Sequence, residues 1–213
     1  MDQPSATRSM SNPLETASPT NRWPAHLMVG AGVLVGSIAL VVLLGWWLRN
    51  VTMTSLTPDF PAMQINAALC LFACGWALWA FSHRHGWVVA IAGLGIGLIG
   101  LMTTLEHVLD IDLGIDRPFG DPFFTQGVMR PGRMAPVSSL CFTLIGSALL
   151  MMVRSPLIGW RAVYVGLIGS LTATMGIFAL AGLALGLGET YGWGNLIRLA
   201  PLTAVSFIIV GTS

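Results

Sequence analysis

The sequence consists mainly of long apolar runs that are separated by short polar connections. A helix needs about 20 apolar residues to cross a hydrocarbon layer about 30 Å thick. The runs of that length are 27–48, 63–81, 87–108, 134–153 and 160–187, and a shorter run begins at Leu199 and reaches Ser213. We therefore expect an all-α integral membrane protein in which six helices form a transmembrane bundle. The sixth helix is expected to be truncated, which suggests a piece of a longer polypeptide.

Three of these runs open with similar residues, in PAMQINAALCLFACG, PGRMAPVSSLCFTLIG and LIRLAPLTAVSFIIVG. The aligned positions are Met63, Met134 and Leu199 at the start, and Gly75, Gly146 and Gly211 further on. One helix earlier, the letters GLIG at 97–100 recur at 166–169. Because each unit holds two spans, successive units enter the membrane in the same direction. The pattern predicts three parallel two-helix repeats, 27–81, 87–153 and 160–213, and the alternative is that apolar helices resemble one another by composition alone.

The polar segments indicate how the chain sits in the membrane. Residues 1–25 are rich in Ser, Thr, Pro and Asn and predict a disordered tail, because such a segment cannot bury apolar surface. The short connections 82–86 and 154–159 carry arginine and no acid, so the positive-inside rule favours cytoplasmic termini. We expect a multi-pass membrane protein whose N-terminus is cytoplasmic and whose 109–133 loop faces the periplasm.

Composition narrows the function further. The chain is 54% hydrophobic and 9% charged, and its ten basic residues are nearly balanced by nine acids. No basic tract is present that would recruit nucleic acid, and the expected surroundings are membrane lipids. The sequence contains no phosphate-binding loop, nucleophile elbow or zinc-protease helix, so we expect no catalysis within residues 1–213.

The segment LEHVLDIDLGIDRPF, followed by PGRMAPVSSLCF and ETYGWGNLIRLAPLTAVSF, resembles the N-terminal membrane-associated sensor (MASE-like) regions of bacterial signalling proteins. The resemblance covers about residues 27–213. The positions that match its pattern or its other copies are Met63, Gly132, Met134, Pro136, Ser138, Pro201 and Thr203. The first copy departs from the pattern because Gln64, Ile65 and Asn66 stand where a proline is expected. The resemblance implies an input module in the bacterial inner membrane, joined to an effector domain after residue 213, such as a histidine kinase or a diguanylate cyclase.

The densest polar cluster follows the third apolar run. Its members, with the arginine that begins the fourth run, are the candidate ligand-binding residues Glu106, His107, Asp110, Asp112, Asp116 and Arg133. On a helix, Glu106 and Asp110 share a face. We expect Arg133 to pair with Glu106 or with an aspartate of the loop, and so to join the ends of the third and fourth helices. The alternative is an interfacial loop whose charges pair only with one another and with helix ends.

Cofactor chemistry stays open. His107, Asp110 and Asp112 are a weak candidate metal site, because their spacing fits no standard calcium loop. A bis-histidine haem would need imidazoles at one depth, which only His26 with His83 could supply. Trp76 and Trp79, with Cys70 and Cys74, could line an apolar pocket for a lipid or quinone. No cofactor is identified by these patterns.

Together, these patterns predict a membrane sensory input module that passes an outer or intramembrane cue to a cytoplasmic effector in the same chain, with a histidine kinase as the first expectation. We expect a homodimer, since glycines four residues apart recur at 32 and 36, 93 and 97, and 182 and 186. The alternatives are a small transporter or channel, and a haem- or quinone-binding membrane subunit.

Overall fold

A computed structural model describes residues 23–57, 60–115, 132–153, 157–186 and 199–213. Every regular element in these ranges is an α-helix, as the apolar runs predict. The helices are α1 Trp23–Trp47, α2 Val51–Ser55, α3 Ile65–Ser82, α4 Gly86–Leu109, α5 Pro136–Met152, α6 Trp160–Ala184 and α7 Pro201–Thr212. A disordered tail is expected at 1–25. Its residues 1–22 lie outside the described residues, and its last three residues already belong to α1, which begins at Trp23.

Four of these helices are long and apolar enough to cross a membrane, namely α1 from His26, α3, α4 and α6. The apolar helices α5 and α7 are shorter, with 17 and 12 residues. The run at 134–153 therefore gives a shorter helix than a full span. Its first two residues, Met134 and Ala135, lie before the helix, which begins at Pro136 because the ring of proline fits the first turn.

Helices that follow one another in the chain pack side by side. The most extensive contacts join α1 with α3, α4 with α5, and α6 with α7. Further contacts join α3 with α4, α5 with α6, and α7 with α1. The interior is formed mainly by α3, α5 and α7, whose side chains Leu71, Phe142 and Phe207 are fully buried. The rings of Phe142 and Phe207 meet edge to face, with centroids 5.1 Å apart.

The helices α3, α5 and α7 begin at corresponding positions of the aligned segments. Their first residues are Ile65, Pro136 and Pro201. The residue before each of them is extended, with ψ of 152° at Gln64, 147° at Ala135 and 139° at Ala200. The start of α3 is therefore the same as that of the other two helices although it lacks the proline.

Glycines allow the paired helices to approach closely. A Cβ atom on Gly75 would lie 2.6 Å from the carbonyl oxygen of Gly32, and one on Gly146 would lie 2.5 Å from the Cα of Gly97. A Cβ atom on Gly211 would lie 2.4 Å from the carbonyl oxygen of Gly169. Side chains larger than hydrogen do not fit at these distances. A Cβ atom would also be crowded at Gly32 and Gly93, so these two are packing residues, as their spacing predicts, whereas a Cβ atom on Gly36 or Gly97 would meet nothing closer than 3.6 Å.

Other glycine predictions differ from the structure. Gly166 and Gly182 face open space, and Gly186 follows the end of α6 with a positive φ of 62°. The repeated GLIG letters also mislead, because Gly97 packs on Gly146 whereas Gly166 packs on nothing within 4 Å. The contacts instead make Gly93 and Gly169 equivalent, since each lies against the matching glycine of the next helix. Because only four letters match, the alignment by letters is displaced by two helical turns from the alignment that the contacts give.

Candidate functional site

The predicted partners Glu106 and Arg133 meet where α4 ends and α5 begins. Arg133 Nε lies 3.4 Å from Glu106 Oε2, and the exposed fractions of the two side chains are 4% and 0%. This confirms the predicted pairing. Both charges are removed from water, and a buried pair of this kind is strongly sensitive to the loss of either partner.

The same two side chains hold the backbone that follows α4. The helix ends at Leu109, and the next residue, Asp110, has a left-handed φ of 54° and turns the chain back. Glu106 Oε1 then accepts a hydrogen bond of 2.8 Å from the backbone N–H of Leu113, and Arg133 Nη2 donates one of 3.1 Å to the carbonyl of Ile111. We call Glu106, Arg133 and residues 111–113 the polar clamp. It ties the end of α4, the loop and the start of α5 into one unit.

The predicted aspartates lie around the polar clamp rather than inside it. Asp112 Oδ1 is 3.9 Å from Arg133 Nη2 and accepts a hydrogen bond of 3.0 Å from the N–H of Gly114. The Asp112 side chain is 49% exposed, and Asp110 is also exposed. The clamp end of the protein therefore carries two carboxylates at its surface. Asp116 lies outside the described residues.

His107 bonds to the backbone rather than to the carboxylates. Its Nε2 lies 3.0 Å from the carbonyl oxygen of Met134. Because a carbonyl can only accept, Nε2 carries the proton and donates. Within the ranges that the structure describes, no three His, Cys, Asp or Glu side chains converge to hold a metal ion. The metal hypothesis for His107, Asp110 and Asp112 therefore gains no support from their positions.

An equivalent hydrogen bond occurs at the end of α1 and was not predicted. Trp46 Nε1 donates to the carbonyl of Met63 at 2.8 Å. Met63 and Met134 are aligned in the repeated segments, and both are almost fully buried. Trp46 follows Gly32 by as many residues as His107 follows Gly93. This equal spacing could have been read from the sequence, but tryptophan and histidine are different residue types, so a comparison of residue identities does not reveal their shared donor.

The motif residues lie mostly in the interior near the clamp end. Gly132 has a left-handed φ of 90°, which a residue with a side chain rarely adopts. Ser138 and Thr203 are buried at equivalent positions in the first turns of α5 and α7. These residues shape the helix starts, and the chemistry at this end comes from the polar clamp.

Aromatic residues form a second cluster at the opposite end, on α3. The ring of His83 stacks on Trp79 with centroids 4.4 Å apart, and its Nδ1 donates to the Trp79 carbonyl at 2.8 Å. Trp76 meets Trp79 edge to face at 5.5 Å and is 52% exposed. Cys70 and Cys74 are buried away from solvent. The exposed indole and the buried thiols therefore do not share one surface.

Comparison with protein-family models, with curated proteins and with solved structures gave no match to this chain.

Proposed function

We propose that the six longer helices form a bundle of three parallel two-helix units. Three groups of contacts support it. In each of the pairs α1 with α3, α4 with α5, and α6 with α7, a glycine at the same aligned position of the second helix lies in close contact with the backbone of the first. The second helix of each pair begins at the same aligned residue. The donors Trp46 and His107 both bind the carbonyl of the aligned methionine in their own unit.

We propose further that this bundle is the membrane sensory input module of a bacterial signal-transduction protein. The observation that carries the proposal is the polar clamp, a buried ion pair that joins two helices of one unit to an acidic surface loop. A cue that binds the closed and open clamp unequally shifts the packing of α4 against α5. Ordinary coupling of about 1–3 kcal/mol is enough to change an output.

In this proposal the clamp end faces the periplasm and both termini are cytoplasmic, in the inner membrane. The module acts as a homodimer and passes its state through α7 to an effector in the same chain, for which a histidine kinase is the first candidate. A carrier would be expected to place ionisable groups near the membrane midplane. In the described helices, Glu106 is near the end of α4 and Arg161 is at the start of α6.

The coding sequence that follows the codon for Ser213 tests this proposal. A soluble signalling domain in the same reading frame, such as a kinase or a cyclase, would support an input module. A series of further apolar spans, or a stop codon directly after Ser213, would favour a carrier and would contradict the proposal.

A further inference from the structure

The end opposite the polar clamp carries an unbroken row of aromatic rings along one face of α3. Phe72 meets Trp76 at 6.5 Å, Trp76 meets Trp79 at 5.5 Å, and His83 stacks on Trp79 at 4.4 Å. The ring of His85 lies 6.0 Å from Trp79, so two imidazoles flank one indole. We call these five residues the aromatic ladder. Its spacing follows the helix surface, where residues three and four apart are neighbours.

Three members of the aromatic ladder are exposed although most of α3 is buried, and the other two, Phe72 and Trp79, are partly buried. Among the candidate spans, α3 has the largest buried share. Trp76 is nevertheless 52% exposed, and His83 and His85 are exposed as well. At Trp76 and the two histidines, this face is therefore left uncovered by α1 and α4, the helices on either side of α3.

The turn beyond the ladder presents a positive charge. Arg84 has a left-handed φ of 60°, which places it at the tip of the tight turn between α3 and α4, and it is exposed. The formally charged side chains described at this end are Arg84 and Arg161, so the local charge is positive without a compensating carboxylate in the described ranges. Arg161 is engaged, because its Nη2 donates to the carbonyl of Met151.

Polarity falls steadily along this face. The guanidinium of Arg84 lies at the tip and the two imidazoles follow. The indole of Trp79, which stacks on His83, comes next, and a second indole and a phenyl ring come last. The helix from Phe72 to its end at Ser82 is about 15 Å long at a rise of about 1.5 Å per residue, and Arg84 lies just beyond that end. A phospholipid has the same order of groups, with an anionic headgroup, an amphipathic glycerol region and an acyl chain. Indole rings suit the middle position because they combine apolar area with one donor.

We propose that the aromatic ladder and Arg84 bind one anionic phospholipid, with its phosphate against Arg84 and the exposed imidazoles and its acyl chain along Trp76 and Phe72. The positive charge of Arg84 attracts an anionic headgroup more strongly than a zwitterionic one, so charge complementarity favours an anionic lipid. The site does not depend on the signalling proposal, since it requires only that the helices lie in a membrane.

The test uses the full chain purified in detergent and a mixture of dioleoylphosphatidylglycerol and dioleoylphosphatidylcholine in equal amounts, with bound lipid counted by native mass spectrometry. Wild-type protein should retain phosphatidylglycerol in preference. Arg84→Asn should reduce that retention about fivefold, because one arginine near a membrane surface contributes about 1 kcal/mol to binding of anionic lipid. Asparagine tolerates the left-handed backbone, so the turn is kept.

Arg49→Asn is the matched control. Arg49 is also exposed and left-handed, with φ of 51°, but it lies at the clamp end. The control should retain phosphatidylglycerol as the wild type does, and circular dichroism should show unchanged helix content in both variants. Equal retention of the two lipids by wild type, an equal loss in both variants, or no loss in Arg84→Asn would overturn the proposal. Displacement of the lipid by inorganic phosphate would assign the site to a free anion and would also overturn it.

Discussion

Arg133 is the residue whose substitution should cost this protein most, because it neutralises a fully buried carboxylate. Arg133→Met leaves Glu106 charged and buried, and we expect a loss of about 3–5 kcal/mol in the free energy of unfolding. The double variant Glu106→Gln, Arg133→Met removes both charges and should recover most of that loss. Denaturant unfolding in detergent measures both effects. A double variant no more stable than Arg133→Met would contradict the buried pair.

His107 should be replaceable by the residue that holds its position in the first unit. His107→Trp is expected to keep stability close to wild type, since an indole N–H can donate to the Met134 carbonyl as Trp46 donates to Met63. His107→Leu has no donor and should cost about 1 kcal/mol. Thermal unfolding of the two variants compares them directly. The equivalence would be wrong if the leucine variant were the more stable one.

At the scale of single residues, the sequence predicted the ion pair because opposite charges at neighbouring helix ends have few other partners. It could not predict that Glu106 and Arg133 would also bind the backbone at Leu113 and Ile111. That arrangement depends on the reversal of the chain at Asp110, where a left-handed backbone occurs without glycine. The shared role of Trp46 and His107 was hidden because only the donor N–H is common to them.

At the scale of helices, the three aligned glycines should respond alike to substitution. Gly75→Ala, Gly146→Ala and Gly211→Ala each place a Cβ atom within 2.4 to 2.6 Å of the neighbouring backbone and should separate the paired helices. We expect each to destabilise by about 1–3 kcal/mol. Gly95→Ala is the control, because its Cβ meets nothing within 4 Å. It should be neutral or raise stability slightly, since alanine favours helix.

Thermal unfolding of the four glycine variants provides the comparison. If Gly95→Ala were as harmful as the other three, the close approach of the paired helices would not explain the loss of stability. If only one of the three aligned glycines were sensitive, the three units would not be equivalent in packing.

The apolar runs predicted the long helices because length and hydropathy alone decide such elements. They did not predict α2, a five-residue helix in VTMTS whose start is capped by Asn50, because so short a segment has no readable periodicity. They also overstated the length of the fourth span, 134–153, because the helix begins only at Pro136. Helix starts depend on local capping residues and prolines, and a hydropathy pattern does not identify these.

At the scale of the whole molecule, the aligned segments predicted which residues share a role, and the chain order predicted which helices are neighbours. The contact between α7 and α1 could not be predicted from either. That contact places the first and last described helices side by side, and in the interior the rings of Phe142 and Phe207 join α5 with α7. Such a bundle suits a module whose parts change packing together.

The most direct measurement uses membranes that contain the full-length protein and follows the activity of the effector domain that the proposed function places after residue 213. Wild type, the Glu106→Gln, Arg133→Met double variant and the Gly95→Ala control are compared at equal amounts of folded protein. The account predicts that loss of the polar clamp changes basal activity by at least about fivefold, the lower end of ordinary coupling, while the control matches wild type. Equal activity in all three proteins would contradict a sensory role for the clamp.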